Sequence, residues 1–153
     1  DMDISVVSRA RAKGKPVFYG DVKSVDFLRA CHIEAARAFV VTMDSRPAVD
    51  QALATARAER PDLLIIARAK DARHAAHLYK MGATHAVPET IEASLQLSEA
   101  VLVDVGVAMG PVIASIHEKR AAFQAEIQEA SPEGTEIQLG RRRLRDVRPS
   151  AIE

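Results

Sequence analysis

Short apolar segments of strand length alternate with longer amphipathic segments through most of the chain, and this alternation restricts the fold more than any single motif. The strand-length segments are 17–19, 38–43, 63–67 and 84–87, and the helical segments are 3–13, 24–31, 48–59, 72–81 and 91–106. A helix between two strands returns the chain to the starting edge of the sheet, so that successive strands run parallel. The sequence therefore predicts an α/β fold around a parallel sheet.

The apolar character of each strand segment predicts its place in that sheet. Residues 38–43 (AFVVTM) are apolar on both faces, which is typical of a central parallel strand that helices cover on both sides. Residues 63–67 (LLIIA) are the most hydrophobic segment and predict a second buried strand. Residues 84–87 are short and closed by a proline, which indicates an edge strand.

A chain of 153 residues with 48% apolar content can bury one ordinary core. We expect a compact domain over residues 1–110, an amphipathic helix at 111–130 and a polar, arginine-rich, flexible tail at 131–153. Apolar side chains recur along one stripe of that helix, at Val112, Ile113, Ile116, Phe123 and Ile127. Two interpretations of the stripe remain, packing on a second subunit and packing within the chain.

The charge balance and the single cysteine exclude several classes of protein. Lys+Arg and Asp+Glu number 21 each, so no overall positive field would attract nucleic acid or an anionic membrane surface. Cys31 has no partner for an internal disulfide, which favours a cytoplasmic setting. No apolar run approaches the ~20 residues that span a bilayer. The chain begins without Met, and we expect it to be a piece of a longer protein.

Polar residues follow each strand segment at its carboxyl end. They are Gly20 and Asp21, Thr42 to Asp44, Arg68 to Asp71, and Glu89. Because the carboxyl ends of parallel strands meet at one edge of a sheet, we expect these residues to converge on one ligand groove. No triad order or carboxylate pair with a supporting motif predicts catalysis. His74 and His77 share a helix, but the pattern places no third ligand for a metal beside them.

Five short sequence motifs occur in the same order and at the same spacing as in one known protein family. They are VFYGD at 17–21, LRACHIEAARA at 28–38, IIARAKD at 65–71, HLYKMGA at 77–83 and VPET at 87–90. Over residues 1–110 the chain resembles the regulatory nucleotide-binding domains, called RCK, KTN or TrkA-N domains, of Kef-type potassium-efflux cation:proton antiporters. The resemblance implies a Rossmann-like fold that binds an adenine nucleotide, either NAD(H) or AMP.

One element of such a fold is outside this sequence. Rossmann domains hold the pyrophosphate on a Gly-x-Gly-x-x-Gly turn in the first βαβ unit, and that turn does not occur in the 153 residues. By resemblance, Asp1 occupies the acidic position at the end of the second strand, where a carboxylate accepts hydrogen bonds from ribose hydroxyls, and Asp3 is a further candidate contact to the nucleotide. We expect the isolated chain, lacking the first βαβ unit, to bind nucleotide poorly or not at all.

The resemblance also assigns ligand contacts to the loops after the first two strand segments. Gly20 and Asp21 would hold the adenine, through a backbone group and a carboxylate that suit its exocyclic amine. A simple turn is the alternative interpretation of this Gly-Asp pair. Thr42 and Met43 would approach the ribose and phosphates through backbone atoms.

Arg68 and Glu89, at the ends of the last two strand segments, each have two interpretations. Arg68 would bind a phosphate or carboxylate through its planar guanidinium, or it would form an ion pair with Asp71. Glu89 would face the ligand or a cation near it, or it would cap the helix that follows.

The resemblance implies a regulatory function in which no covalent bond is made or broken. Such a domain senses a ligand at the cytoplasmic face of the inner membrane, forms a homodimer through the helix at 111–130, and gates a membrane-embedded cation:proton antiporter domain. Under this interpretation the chain is not an enzyme and binds neither nucleic acid nor metal. The alternatives are a fragment of an NAD-dependent oxidoreductase and a dimerisation module without a ligand.

Overall fold

The computed structural model describes residues 1–130, and the tail predicted at 131–153 lies outside the described residues. Between residues 38 and 104, strands and helices alternate as the sequence predicts. In chain order they are α1 (Ile4–Ala12), α2 (Val25–Ala30), β1 (Ala38–Val41), α3 (Arg46–Glu59), β2 (Leu64–Ala69), α4 (Ala72–Lys80), β3 (His85–Pro88), α5 (Glu89–Asp104) and α6 (Met109–Glu129). None of these helices is long and apolar enough to cross a membrane.

β2 lies at the centre of a three-stranded sheet in which all strands run parallel, in the order β1-β2-β3. In this register Val40 pairs with Ile66, and Ala67 pairs with Ala86. The pairing confirms the predicted α/β class and its Rossmann-like parallel sheet. All three strands therefore end at the same edge, and the loops that follow them are neighbours.

One face of the sheet is buried beneath α3 and α4. The side chains of β2 alternate, so that Ile65, Ala67 and Ala69 are fully buried while the residues between them are half-buried. Leu53 from α3 and Leu78 from α4 pack against these side chains in the main core. This packing fixes β2 below the loops at the carboxyl edge of the sheet.

Two strand predictions are wrong in the described structure. Residues 17–19 form no strand, and two backbone hydrogen bonds, from the Asp1 amino group to the Phe18 oxygen and from the Gly20 N–H to the Asp1 oxygen, hold this segment. β1 is an edge strand rather than a central one, because it pairs with β2 alone and leaves Val40 59% exposed. A strand is central only with a neighbour on each side, and the described residues place none along the outer edge of β1.

The ends of the helices follow the local signals that the sequence carries. Asp3, Ser24 and Asp71 accept backbone N–H groups at the starts of α1, α2 and α4, as helix caps do. The N–H of His74, together with the nearby Arg46 guanidinium, holds the pKa of Asp71 below its usual range. Asp71 is therefore ionised at neutral pH and stabilises the start of α4.

The apolar stripe of α6 faces mainly inward, so its assignment to a second subunit is wrong for most of its members. Val112 and Ile116 pack with Leu95 of α5 in a small second core. Ile127 joins the main core. Ile113 and Phe123 are exposed, to 43% and 37%. Packing within the chain is therefore the interpretation that holds for the three buried side chains, two in the core between α5 and α6 and one in the main core.

Arg57 of α3 stabilises the turn after α4 through hydrogen bonds. Its guanidinium donates to the oxygen of Gly82 at 2.6 Å from Nη2 and 3.1 Å from Nε, and its Nη1 donates to the oxygens of Arg60 and Pro61. Gly82 has a φ of +94°, a conformation that glycine adopts without strain. Partial burial lowers the pKa of Arg57, yet arginine remains charged, so three carbonyl groups share one cation.

Arg57→Ala is expected to lower the free energy of unfolding by about 1–3 kcal/mol, since it removes a charged donor from three carbonyl oxygens. Urea denaturation followed by circular dichroism measures this change. Arg73→Ala is the matched control, because Arg73 is an exposed arginine on α4, and its effect should stay within ~0.5 kcal/mol. Equal effects of the two substitutions would contradict the role given to Arg57.

Gly20 lies against the ring of Phe27. A Cβ atom built on Gly20 would overlap the edge of that ring at three of its carbon atoms. The requirement for glycine at this position is therefore steric, since the ring of a residue on α2 occupies the space of a side chain.

Gly20→Ala is expected to destabilise the fold by about 1–3 kcal/mol through overpacking against Phe27. In a Phe27→Ala background the same substitution should cost much less, because the ring is gone. A double-mutant cycle of thermal or urea unfolding gives the coupling between the two positions. A cycle with no coupling would show that something other than the Phe27 ring excludes a side chain at Gly20.

Candidate functional site

Two adjoining cavities lie along the carboxyl edge of the sheet. The first has a volume of about 380 Å³ and lies between the start of the chain, the loop before α2 and the outer edge of β1. It is lined by Asp1, Met2, Gly20, Asp21, Val22, Phe39, Val40, Val41, Thr42 and Met43. Five of the residues that the sequence predicts as ligand contacts, Asp1, Gly20, Asp21, Thr42 and Met43, are therefore brought together in one cavity.

Asp21 is a fixed and ionised acceptor in this first cavity. Its Oδ1 accepts the backbone N–H of Lys23 at 3.0 Å, and the Lys23 Nζ lies 3.3 Å from Oδ2. The Lys23 N–H holds the pKa of Asp21 below its usual range. The carboxylate is half-buried, and its remaining lone pairs can accept hydrogen bonds from an amine or hydroxyl of a ligand.

The two acidic residues at the start of the chain are placed differently. Asp1 lines the first cavity, and its Oδ1 accepts the backbone N–H of Asp3 at 2.9 Å. Asp3 does not face the first cavity. Its Oδ1 accepts the backbone N–H groups of Ser5 and Val6 and so caps the start of α1. Asp3 lines neither of the two cavities, and its carboxylate is committed to the helix.

Arg68 lies within β2, one residue before the strand ends, rather than after its end. The strand runs two residues beyond the predicted boundary, to Ala69, because Arg68 pairs with Val87 and Ala69 with Pro88 in the register with β3. The guanidinium of Arg68 forms an ion pair with Asp44, the residue that follows Met43. The predicted alternative partner, Asp71, is wrong, since Asp71 pairs with Arg46.

The second cavity, of about 560 Å³, lies between the end of the sheet and the two C-terminal helices. It is lined by Arg68, Val87, Glu89, Glu92, Ala93, Gln96, Glu99 and Arg120. Glu89 is the first residue of α5, directly after the N-cap Pro88, and its carboxylate lies 3.8 Å from the Nζ of Lys70. Arg120 donates from Nε and Nη2 to the carboxylate of Glu92 at 3.0 Å, and this contact raises the pKa of Arg120.

A small pocket connects the residues of the two cavities. It is bordered by Met43, Asp44, Arg68, Lys70, His74 and Glu89, with Ala69 at its base. Met43 also lines the first cavity, and Arg68 and Glu89 also line the second. The strand-end residues thus form one continuous edge, in which a half-buried carboxylate stands at one end and an arginine at the other.

The histidines of α4 have a partner that the sequence did not indicate. Asp50 of α3 lies 3.4 Å from the Nε2 of His74 and 3.0 Å from the Nε2 of His77. The Nδ1 of buried His74 accepts the backbone N–H of Lys70, so His74 is held with its proton on Nε2. This bond anchors Lys70, the first residue after β2 and two residues after Arg68. The contact depends on the packing of α3 on α4, which no local pattern encodes.

Sequence reasoning also missed the α5 and α6 side of the second cavity. Glu92, Gln96 and Glu99 follow Glu89 at intervals of three and four residues, which places them on one face of a helix. That spacing was a usable signal for a polar wall. Arg120 could not be found in the same way, because its place depends on how α6 folds back along α5.

Comparison with known proteins relates this chain to a family of regulatory domains. The family model described as the TrkA-N domain matches residues 1–89. The Kef CTD of Shewanella denitrificans, solved in its AMP-bound form, superposes with a TM-score of 0.68 at 26% identity and covers 77% of this chain and 74% of that one. The TrkA-N domain of the inner membrane protein ybaL from Escherichia coli gives a TM-score of 0.60 at 25% identity, and the match covers 65% of this chain and 73% of that one.

Similar sequences occur within much longer antiporters. The putative K(+) efflux antiporter KefB of Alkalimonas amylolytica is 38% identical over 120 residues, which are 78% of this chain and 18% of that protein. The chloroplastic K(+) efflux antiporter 2 of Arabidopsis thaliana is 31% identical over 129 residues, which are 84% of this chain and 11% of that protein. The chain thus spans less than a fifth of either relative. Since the family model covers more than half of its length, the chain belongs to the TrkA-N domain family.

Proposed function

We propose that this chain is a ligand-sensing regulatory domain of a potassium-efflux antiport system and binds an adenine nucleotide along the carboxyl edge of its sheet. The observation that carries the proposal is the continuous line from Asp21 through Met43 to Arg68 and Glu89. The AMP in the Kef CTD structure supports a nucleotide as the class of ligand. The K(+) efflux antiporters among its relatives support the transport system.

The chemistry of the first cavity suits the adenosine half of such a ligand. The ionised Asp21 accepts a hydrogen bond from the exocyclic amine, and Asp1 accepts hydrogen bonds from ribose hydroxyls. The surrounding side chains are largely apolar, with Val22, Phe39 and Met43 in the wall. The flat adenine ring would therefore leave water and contact these apolar side chains, while its exocyclic amine donates a hydrogen bond to Asp21. Backbone groups at Thr42 and Met43 approach the sugar and phosphate.

Arg68 is the proposed phosphate contact. Its present partner Asp44 is 93% exposed at the side chain, and such a surface pair contributes only about 0–1 kcal/mol. A phosphate placed at the junction of the cavities can replace Asp44 through a bidentate contact with the guanidinium. Glu89 and Lys70 border the same small pocket, so two positive and two negative side chains surround this position before a phosphate binds.

Regulation requires no bond to be made or broken. A nucleotide that binds one arrangement of the domain more tightly than another shifts the equilibrium by its coupling free energy, typically about 1–3 kcal/mol. We propose that the domain acts as a homodimer, on the cytoplasmic face of the inner membrane, and passes this shift to a membrane-embedded cation:proton antiporter domain. NAD(H) and AMP both carry the adenosine monophosphate unit that the cleft would hold.

The nucleotide is expected to stabilise a version of the chain that is preceded by a βαβ unit with the Gly-x-Gly-x-x-Gly turn. Thermal-shift measurements with AMP and NADH should show saturable stabilisation of this longer protein. The 153-residue chain alone should bind with a Kd of about 1 mM or weaker, because the Gly-x-Gly-x-x-Gly turn that would hold the phosphates of either nucleotide is not part of it.

Arg68→Ala in the longer protein should weaken AMP binding by about tenfold or more, the loss of one charged hydrogen-bonding contact. Arg37→Ala is the matched control, because this exposed arginine precedes β1 at the opposite edge of the sheet, and it should leave the affinity unchanged. Titration calorimetry measures both. Failure of AMP and NADH alike to bind the longer protein, or oxidation of NADH with an added substrate, would contradict the sensor.

A further inference from the structure

His74 is a buried histidine beside the proposed phosphate position. It is 5% exposed, whereas the other four histidines of the chain are exposed. It borders the small pocket that Arg68, Lys70 and Glu89 also border, and it lines neither of the two larger cavities. Buried polar atoms in folded proteins have hydrogen-bond partners. The partners of the His74 ring therefore indicate its role.

Both nitrogens of the His74 ring have partners. Nδ1 accepts the backbone N–H of Lys70 at 3.1 Å, and Nε2 lies 3.4 Å from Oδ1 of Asp50 on α3. The neutral ring with its proton on Nε2 satisfies both contacts, since it accepts at one nitrogen and donates to a carboxylate at the other. The backbone N–H of His74 donates to Asp71, the cap of α4. The ring is thus held between α3 and the residue that follows β2.

The bond from Lys70 to His74 fixes the chain at the point where it leaves β2. The last pair in the register of β2 with β3 joins Ala69 and Pro88, so the N–H of Lys70 lies beyond the ladder and takes the imidazole as its acceptor. The Nζ of Lys70 stands 3.8 Å from the carboxylate of Glu89. The His74 ring therefore sets the backbone position from which Lys70 reaches the small pocket.

A proton on Nδ1 of His74 would break this bond. The imidazolium is a donor at both nitrogens, so Nδ1 would meet the N–H of Lys70 donor to donor. The contact with Asp50 would remain, because a carboxylate accepts from the charged ring as well as from the neutral one. Histidine is the side chain whose charge ordinarily changes between about pH 5 and 8. Proton uptake would thus release Lys70 while α3 and α4 stay joined.

We propose that His74 is a proton-sensitive positioning residue of the nucleotide site. Its neutral ring holds Lys70 beside the bound phosphate, and its protonated ring releases Lys70. The inference rests on the proposed function, which places the phosphate at the junction of the cavities. It adds that acidification weakens nucleotide binding through one buried ring. In a system that exchanges a cation for protons, the domain would then respond to the proton as well as to the nucleotide.

Charged and titratable groups face His74 from several elements. They are Asp50 of α3, Asp71 and His77 of α4, Arg46 through its ion pair with Asp71, and Asp44, Arg68, Lys70 and Glu89 around the small pocket. His77 shares the carboxylate of Asp50, because its Nε2 lies 3.0 Å from Oδ2 and the two rings are 6.4 Å apart. His77→Gln removes this second imidazole and leaves the His74 ring in place.

NMR titration of the full chain tests the hydrogen bond itself. From about pH 8 to about pH 5, the amide signal of Lys70 should move along the same curve as the ring nitrogens of His74. In His74→Asn the amide signal should stay in place, because the asparagine oxygen can accept the Lys70 N–H and does not titrate. His77→Gln is the matched control and should retain the movement at Lys70. A Lys70 signal that does not follow His74, or a His74 ring that stays neutral throughout, would overturn the proposal.

Calorimetric titration of the longer protein with AMP tests the coupling to the ligand. Protonation of the phosphate also weakens binding as the pH falls, so the wild type is compared with His74→Asn at each pH. From about pH 7.5 to about pH 6, the wild-type affinity should fall about fivefold further than that of the variant, which corresponds to one hydrogen bond. At the higher pH His74→Asn should bind like the wild type. His74→Leu offers no acceptor to Lys70 and should bind about fivefold more weakly, with circular dichroism to verify that it is folded.

Two outcomes of the calorimetry separate this inference from the proposed function. If the wild type and His74→Asn show the same pH dependence while AMP binds, the coupling through His74 is wrong and the nucleotide site stands. If AMP fails to bind the longer wild-type protein at any pH, the nucleotide site is wrong and the coupling falls with it. Movement of the Lys70 signal with His74 would still establish the proton-sensitive bond in that case.

Discussion

Parallel pairing of β1, β2 and β3 is the constraint on which the rest of the structure depends. It brings the carboxyl ends of three strands to one edge, so that loops far apart in sequence become the walls of adjoining cavities. The core beneath α3 and α4 holds β2 at the centre through fully buried residues such as Ile65 and Ala67. The cleft is therefore positioned by the packed side of the sheet and lined by its open edge.

The features that sequence reasoning predicted are those set by local physics. The helical segments predicted at 48–59 and 72–81 correspond to α3 (Arg46–Glu59) and α4 (Ala72–Lys80), because the spacing of apolar side chains is a property of each segment alone. The alternation of strands and helices was enough to predict a parallel sheet, and hence that the polar residues after each strand would meet. Seven of the eight predicted contact residues line the cavities of that edge, with Asp3 the exception.

The features that sequence reasoning missed depend on which elements become neighbours. The apolar segment 38–43 has the composition of a central strand, yet β1 pairs on one side only. Arg68 takes Asp44 rather than Asp71, because the register of β2 carries it beside the loop after β1. The stripe of α6 turns inward because α5 folds back over it, and this same fold leaves Leu97, Val101 and Val105 on the outside. None of these outcomes is encoded within one segment.

The central claim is that the strand ends form a single ligand cleft. Amide NMR spectra of the chain joined to a Gly-x-Gly-x-x-Gly βαβ unit, recorded during titration with AMP, test it most directly. The account predicts that the signals of Gly20, Asp21, Met43 and Arg68 move together along one binding curve while that of Arg37 stays in place. Movement at Asp21 without Arg68, or at neither residue as AMP binds elsewhere, would contradict it.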